Sequence, residues 1–364
     1  MQRRAAPVVR TELPLAVVAA IAVAIGAWLA LVPIASAAAL RTHATSGQVP
    51  VGSEQPSSSM VTGVAYGPLS EQLLDLYLPA GRPGPFPVVV YAHSGGWIAG
   101  SRTNVPDFLL GQVRRAGIAI ASIDYRLVTT APDGSFVNSF PVPDEDVDRA
   151  VRFVRAHAAT WNLDPERVVL AGASAGGHLA TLAAAAPGEF VDPTLPAGLI
   201  GVSPRVDGVL DFVGVSDFTT FGAAGGWAPG LMTAFLDCPD VRPDLCDPAT
   251  ITAASVATHL DSSAPPAYFV YGTRDGLVPP ETQGIPLAAA WARARDVTGD
   301  TPLASSGVSI VLADTEHNVD ASTVDMSAME AWIDAIIGPS APGSTGTFAR
   351  SAGGPAAPHL RHRG

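Results

Sequence analysis

A serine flanked by glycines, in residues 172–177 (GASAGG), is the pattern in this chain that most directly indicates chemistry. An apolar run, 167–171, precedes it, and a helix-like stretch of small residues, 178–186, follows it. A strand, a sharp turn and a helix in this order are typical of a nucleophile elbow, whose strained turn exposes the serine hydroxyl. Glycines suit such a turn because a Cβ at either flank would collide with neighbouring backbone. The pattern predicts Ser174 as a nucleophile.

A serine hydroxyl is a weak nucleophile, so it needs a base that takes its proton and a carboxylate that orients the base. In enzymes with this elbow, the acid and the histidine follow the serine along the chain in that order. Asp275 comes directly after the strand-like run 268–274, and His317 follows the predicted strand 308–312. We therefore predict Asp275 and His317 as the partners of Ser174.

The remaining candidates for acid and base fit this order less well. Asp314 and Asp320 are alternatives for the acid because they neighbour His317, but the acid normally reaches the histidine from a different loop. We expect His178 to pack on the helix that follows the elbow. Other histidines lie in the flanking segments, before the elbow or in the irregular segment 217–262: His43, His359, His362, His157 and His259.

A glycine-rich loop, 93–97 (HSGGW), follows the predicted strand 88–92. Attack on an acyl group creates a negative oxygen, which preorganised backbone N–H groups stabilise. We expect the N–H groups of Gly95, Gly96 and Ala175 to form this oxyanion hole. The alternative is an ordinary glycine turn after a strand.

Strand-like and helix-like runs alternate along the chain, and this alternation implies a mainly parallel sheet with helices on both faces. The clearest helical patterns are 144–162 and 326–337. Loops that follow parallel strands meet at one edge of the sheet, which would bring the three predicted catalytic side chains together. The predicted strands are 73–78, 87–91, 118–123, 167–171, 209–215, 268–271 and 308–312.

These motifs resemble the esterase/lipase branch of the α/β-hydrolases, the hormone-sensitive-lipase-like and BD-FAE-like carboxylesterases. The resemblance covers about residues 60–337 and implies an α/β-hydrolase fold with a small cap insertion. It also implies hydrolysis of a small-molecule carboxylic ester through an acyl-enzyme on Ser174, without a metal or cofactor. Two residues depart from the family pattern: Ser94 stands where the family has a glycine, and Tyr271 stands where a histidine is common. The motifs that carry the resemblance are 93–97, 124–127 (DYRL), 146–180 and 272–279 (GTRDGLVP).

Composition argues against several other classes of function. The net charge is −12 and the body of the chain has no basic run, which argues against a nucleic-acid partner. All 21 basic residues are arginines, so a lysine Schiff base, a lysine general base and a Walker A loop are excluded. The 48% hydrophobic content suits one large α/β domain, which we place at 61–337.

Residues 1–40 predict either a cleaved signal peptide or a retained membrane anchor. Arginines precede an uncharged apolar stretch, of which 13–34 meets the roughly 20 residues needed to span a bilayer. Basic residues on this side place the body of the protein outside the cytoplasm, either secreted or anchored. The motif 35–37 (ASA) resembles a signal-peptidase cleavage site.

Segment 217–262 is less regular, and we expect it to be a cap insertion above the carboxyl edge of the sheet. The alternative is a surface excursion without substrate contact. Cys238 and Cys246 lie in this segment, and export favours a disulfide between them over two unpaired thiols. Polar composition predicts a linker at 41–60, and the lack of periodicity predicts a disordered tail at 338–364.

Two other functions are compatible with this sequence. The predicted triad does not distinguish between acyl leaving groups, so a lactonase, amidase or peptidase is the first alternative. The second is a non-catalytic binding module on the same fold, although such a module would usually lack a member of the triad.

Overall fold

The structure is a computed structural model that describes residues 58–296, 306–318, 320, 322 and 324–338. The predicted signal or anchor at 1–40, most of the predicted linker and nearly all of the predicted tail lie outside these residues. Within the described residues, no helix combines the length and the apolar character that crossing a membrane requires.

A sheet of eight strands forms the centre of the described part of the chain. Its strands are β1 (Ser58–Ala65), β2 (Leu73–Pro79), β3 (Phe86–Ala92), β4 (Ala119–Ile123), β7 (Leu163–Ala173), β8 (Gly208–Phe212), β9 (Ala267–Gly272) and β10 (Val308–Ala313), and a separate two-stranded hairpin contains β5 (Thr129–Thr130) and β6 (Phe136–Val137). The order across the sheet is β1-β2-β4-β3-β7-β8-β9-β10. The pairs β1–β2 and β2–β4 are antiparallel, and the other neighbours are parallel.

The helices of the described residues are α1 (Asp107–Arg115), α2 (Val142–Ala156), α3 (Ala175–Ala185), α4 (Phe218–Phe221), α5 (Ala228–Phe235), α6 (Pro248–Ala254), α7 (Gly284–Arg295) and α8 (Met326–Ile337). Short 3₁₀ turns cover Ala158–Trp161, Pro239–Val241, Pro243–Leu245 and Val256–His259. Parallel neighbours need crossover connections, and α1, α2, α3, α7 and the segment between β8 and β9 supply them.

The helices cover both faces of the sheet. Successive side chains of a strand point to opposite faces, and the β3 residues divide accordingly. Val88 and Val90 belong to a core cluster that includes residues of α2, α3 and α7. Val89 and Tyr91 belong to a second cluster with α1 and α8. The predicted mainly parallel sheet with helices on both faces is therefore confirmed.

Among the boundaries that differ from the prediction, two have a clear physical reason. Residues 58–60, assigned above to the linker, begin β1; its serines, threonine and glycine give a weak strand pattern, and pairing with β2 determines the strand. The strand predicted at 209–215 ends at Phe212, since Val213 has a φ of 52° and turns the chain. The helices α1 and α7 were not predicted.

Segment 217–262 connects β8 to β9 and contains α4, α5 and α6. Phe235, on α5, stacks on Trp97 of the glycine-rich loop with ring centroids 4.3 Å apart. Phe218 and His178 complete this aromatic cluster. The segment therefore packs against the loop predicted to hold the oxyanion. Cys238 and Cys246 form a disulfide within it, as predicted.

Candidate active site

Ser174 is the only residue between the end of β7 and the start of α3. Its φ of 54° and ψ of −118° are a strained combination for a residue with a Cβ. Its N–H donates to the carbonyl oxygen of Phe212 on β8 at 2.8 Å. A Cβ on Gly172 would overlap the carbonyl of Gly176, and a Cβ on Gly176 would overlap that of Ala92. The predicted elbow geometry is therefore present, and both glycines are required by backbone contacts.

Ser174, His317 and Asp275 form a continuous hydrogen-bonded chain. The Nε2 atom of His317 lies 2.9 Å from Ser174 Oγ, and its Nδ1 atom lies 2.7 Å from Asp275 Oδ2. Asp275 Oδ1 accepts the backbone N–H groups of Leu277 and Val278, each at 2.9 Å. With Nδ1–H donating to the carboxylate, Nε2 is left to accept the serine proton. The structure thus brings together the three residues predicted from the sequence.

The loops that carry Asp275 and His317 are joined by backbone hydrogen bonds. They follow the parallel neighbours β9 and β10, whose last residues, Gly272 and Ala313, are paired in register. The N–H of Arg274 donates to the carbonyl of Thr315 at 2.9 Å. A Cβ on Gly272 would overlap the carbonyl of Glu316, so the glycine allows the two loops to approach.

The alternative acids and histidines have other partners. Asp314 is mostly exposed and pairs with Arg274, and Asp320 accepts a hydrogen bond from the Ser322 N–H. His178 is fully buried, and its Nε2–H donates to the carbonyl of Ala254 at 2.9 Å, which agrees with the predicted packing role. His157 bonds to the Phe153 carbonyl, and His259 pairs with Glu189.

The glycine-rich loop makes a tight turn beside the elbow. Gly95 and Gly96 have φ values of 130° and 61°, in the region that favours glycine. The N–H groups of Ile98 and Ala99 both donate to the carbonyl of Gly95. Ser94, which departs from the family pattern, is absent from the residues with positive φ, so a side chain fits there.

Side chains distant in sequence hold this loop in place. Tyr125 donates its hydroxyl proton to the carbonyl of His93 at 2.9 Å and stacks on the His93 ring at 4.3 Å. Burial lowers the pKa of His93 to about 4, so its ring is neutral and its Nδ1–H donates to the Ser94 carbonyl. Asp124 accepts the N–H of Arg102 at 2.6 Å and pairs with its guanidinium.

The residues of the 124–127 motif that follow Tyr125 also have structural partners. The Arg126 guanidinium bonds to both carboxylate oxygens of Asp146, on α2. Asn138 donates to the carbonyl of Leu127 at 3.1 Å. Sequence reasoning identified the motif but not these supporting roles, since the partners lie on separate elements and no spacing connects them.

Tyr271, the second departure from the family pattern, is fully buried on β9. Its hydroxyl lies 2.7 Å from Asp211 Oδ2 and 2.8 Å from the carbonyl oxygen of Gly214.

Among the residues that the structure describes, no three His, Cys, Asp or Glu side chains are grouped to hold a metal ion.

Known proteins are similar to this chain in sequence or in fold. The chain is 32% identical to "Probable carboxylic ester hydrolase LipM" of Mycobacterium tuberculosis over 54% of this chain and 43% of that protein. It is 28% identical to "Esterase LipQ" of the same organism over 63% of this chain and 52% of that protein. The chain thus spans about half the length of these relatives.

A solved structure described as a truncated form of carbohydrate esterase from gut microbiota superposes with a TM-score of 0.59 at 21% identity. The superposition covers 78% of this chain and 97% of that chain. At this identity the likeness concerns the fold, which is the predicted α/β-hydrolase fold. The sequence model of the BD-FAE family matches residues 74–289, more than half of the sequence, and the chain belongs to this family of α/β-hydrolases.

Proposed function

We propose that this protein is a serine carboxylesterase whose nucleophile is Ser174. The observation that carries the proposal is the hydrogen-bonded chain from Asp275 through His317 to Ser174, located at a strained elbow. A serine at such a turn is held away from the sheet, where an ester carbonyl can reach it. The relatives named as ester hydrolases support the same reaction class.

The first half of the reaction forms the acyl-enzyme. His317 Nε2 takes the Ser174 proton while Oγ attacks the ester carbonyl carbon, and the carbonyl oxygen becomes an oxyanion. Asp275 keeps Nδ1 protonated and stabilises the imidazolium that forms. When the tetrahedral intermediate collapses, His317 returns the proton to the departing alcohol. Water, activated by the same histidine, then hydrolyses the acyl-enzyme and releases the carboxylic acid.

The proposed oxyanion donors are the N–H groups of Gly95, Gly96 and Ala175. Ala175 is the first residue of α3, so its N–H has no acceptor within the helix. The carbonyls of Ala92 and His93 abut Gly176, which places the start of the glycine-rich loop against the elbow. Three donors from two backbone segments could then converge on one oxygen.

We also propose that the reaction takes place outside the cytoplasm, with the protein either secreted or anchored through residues 13–34. The arginines and apolar stretch of the N-terminal region support export. The Cys238–Cys246 disulfide supports an oxidising compartment. Fractionation of cells that express the full chain, followed by immunoblotting, tests this: cytosolic protein with the N-terminal region intact contradicts it.

Hydrolysis of short p-nitrophenyl esters by the native protein and by Ser174→Ala tests the chemistry. We expect the substitution to reduce kcat at least about a thousandfold, since removal of a triad nucleophile has effects of this size or larger. A fluorophosphonate probe should label the native protein and not the variant. Labelling with no hydrolysis of esters, but with hydrolysis of lactones, amides or peptides, would assign a different acyl substrate. Retained ester hydrolysis in Ser174→Ala would contradict the proposal.

A further inference from the structure

A buried acid, Asp211, lies beneath the elbow and has no role in the proposed reaction. It is fully buried on β8, paired in register with Gly172 of β7. Its Oδ2 atom is 2.7 Å from the Tyr271 hydroxyl, which is itself 2.8 Å from the carbonyl oxygen of Gly214. Its other oxygen, Oδ1, lies between Gly177 and Gly214.

The number of protons in this cluster determines the state of Asp211. A phenol hydroxyl has one proton to donate, and a backbone carbonyl can only accept. Both contacts of the Tyr271 hydroxyl are therefore hydrogen bonds only if Tyr271 donates to Gly214 and Asp211 donates to Tyr271. Asp211 can donate only as a neutral carboxylic acid. The geometry of the three oxygens thus favours a proton on this carboxyl group.

The surroundings of Asp211 favour the same state. A Cβ on Gly177 or on Gly214 would overlap Oδ1, so this oxygen fills a space between two glycines. The neighbouring positions on β7 and in the first turn of α3 are Gly172 and Gly177, which carry no charge. The titratable groups facing the cluster are Tyr271 on β9 and, beyond it, Asp275, and none of them offers a positive charge.

The pKa values agree with this assignment. Burial raises the pKa of Asp211 to about 7, although the Tyr271 hydroxyl and the Gly214 amide act in the opposite direction. Burial raises the pKa of Tyr271 well above its ordinary value, and the Asp275 carboxylate acts in the same direction. The phenol therefore keeps its proton, and the acid is the group that titrates.

We propose that Asp211 is a positioning residue for the esterase site, and that its neutral form joins the elbow to β9, the strand that precedes Asp275. The inference rests on the proposed function. Oδ1 contacts the first turn of α3 at Gly177, three residues after Ser174, while Tyr271 lies four residues before Asp275. The hydroxyl of Tyr271 also holds the loop after β8 through Gly214. The proton on Asp211 thus connects the elbow of Ser174, the strand before Asp275 and the loop that contains Gly214.

Loss of this proton breaks the connection. Tyr271 then donates to the carboxylate, and the Gly214 carbonyl loses its donor. The buried carboxylate then has no positive charge beside it, and a buried unpaired charge is unfavourable. We expect kcat to fall as Asp211 ionises, because the nucleophile and the acid are no longer held in register, while KM changes less.

The test compares pH profiles of kcat for the native protein, Asp211→Asn and Tyr271→Phe. An asparagine amide donates to Tyr271 at every pH, so Asp211→Asn should keep most of the activity and lose the alkaline decline. Tyr271→Phe should lower kcat roughly tenfold at all pH values, as small misplacements of reacting groups do. Tyr268→Phe is the matched control, since Tyr268 lies on the same strand and its buried hydroxyl has no partner among the described residues.

A spectroscopic measurement separates this proposal from the proposed function. Infrared spectra at pH 6 should contain the carbonyl band of a neutral carboxylic acid that is missing from Asp211→Asn. This band reports the proton on Asp211 whether or not the protein hydrolyses esters, and it does not require Tyr271→Phe to fold. Absence of the band contradicts the proposal. A native protein with Ser174-dependent activity in which Tyr271→Phe behaves like Tyr268→Phe also contradicts it.

Thermal stability provides a further check. Between its ordinary pKa of 3.8 and its folded-state pKa of about 7, Asp211 keeps a proton in the folded state that the unfolded chain has already released. The native protein therefore loses stability relative to Asp211→Asn as the pH rises through this interval. The difference in Tm should move in favour of the variant between pH 4 and pH 7. A difference that is constant across this interval contradicts a neutral Asp211.

Discussion

The elbow and the glycine-rich loop contribute to the same proposed reaction but are held in place by different means. Ser174 is fixed by backbone contacts: Gly172 lies against the carbonyl of Gly176, and the Ser174 N–H donates to the carbonyl of Phe212. The loop at 93–97 is fixed by side chains from remote segments, chiefly Tyr125 and Phe235. A single substitution at the elbow should therefore abolish activity. A single substitution that affects the loop should remove only part of the activity.

The largest effect is expected for Gly176→Val. The new side chain would overlap the carbonyls of Ala92 and His93, which are backbone atoms and cannot move aside. We expect a loss of about 3 kcal/mol or more in the free energy of unfolding and loss of fluorophosphonate labelling. Urea denaturation with the labelling assay measures both. Gly198→Val, at a site where a Cβ meets nothing within 4 Å, is the control.

Acid should weaken the loop and the elbow helix together. Burial lowers the pKa of His93 and of His178 to about 4, so each is neutral in the folded state. The unfolded chain binds these protons below pH 6.5, and stability is therefore lost as the pH falls from 6.5 towards 4. A shift of this size corresponds to about 3 kcal/mol for each histidine. Urea titrations at pH 4, 5 and 7 of the native protein and of His178→Gln measure the effect.

The contribution of His178 can be separated from that of the other titrating groups. His178→Gln retains a donor for the Ala254 carbonyl but cannot be protonated, so its stability should depend less on pH than that of the native protein. Identical pH dependence in the two proteins would show that His178 is not neutral and buried in solution.

Reduction of the Cys238–Cys246 disulfide should have an intermediate effect on the cap segment. Closing so short a loop contributes about 2–3 kcal/mol in the chain-entropy description. We expect faster proteolysis within 217–262 after reduction, because the disulfide is the one covalent cross-link within this segment among the described residues. Mass spectrometry of the fragments identifies the sites. Equal cleavage of oxidised and reduced protein would argue against a stabilising role.

The smallest effect is expected for Tyr125→Phe. This change removes one hydrogen bond, to the His93 carbonyl, and preserves the stacking on the His93 ring. We expect a loss of about 1 kcal/mol in stability and a fall of a few-fold in kcat. The comparison with Gly176→Val then measures how differently the loop and the elbow respond. A complete loss of activity in Tyr125→Phe would contradict the expected difference between the loop and the elbow.

The parts that the sequence predicted well depend on local sterics or on chain order. Ser174 was found because two glycines and a strand–helix transition lie within a few residues of it. Asp275 and His317 were found because each follows a buried apolar strand. The structure places all three in hydrogen-bonding contact, and α8 has the predicted bounds of 326–337.

The parts that the sequence did not predict depend on contacts between distant segments. The strand β1 has a weak pattern of its own, and its pairing with β2 places it in the sheet. Tyr125 supports the loop through a hydrogen bond that spans 32 residues. Asp211 was not singled out, because its protonation state can be inferred only once the structure shows that Tyr271 contacts both Asp211 and Gly214.

The order of the strands places the proposed base and the nucleophile at positions of different local stability. Ser174 follows β7, which has paired strands on both sides, whereas His317 follows β10, the last strand in the sheet among the described residues. Strands at an edge open at lower free energy than central ones. Heating should therefore part His317 from Ser174 while the aromatic cluster around Trp97 is still packed. Enzymatic activity should then be lost at a lower temperature than the packing around Trp97, because activity needs the loop after the last strand to stay in place.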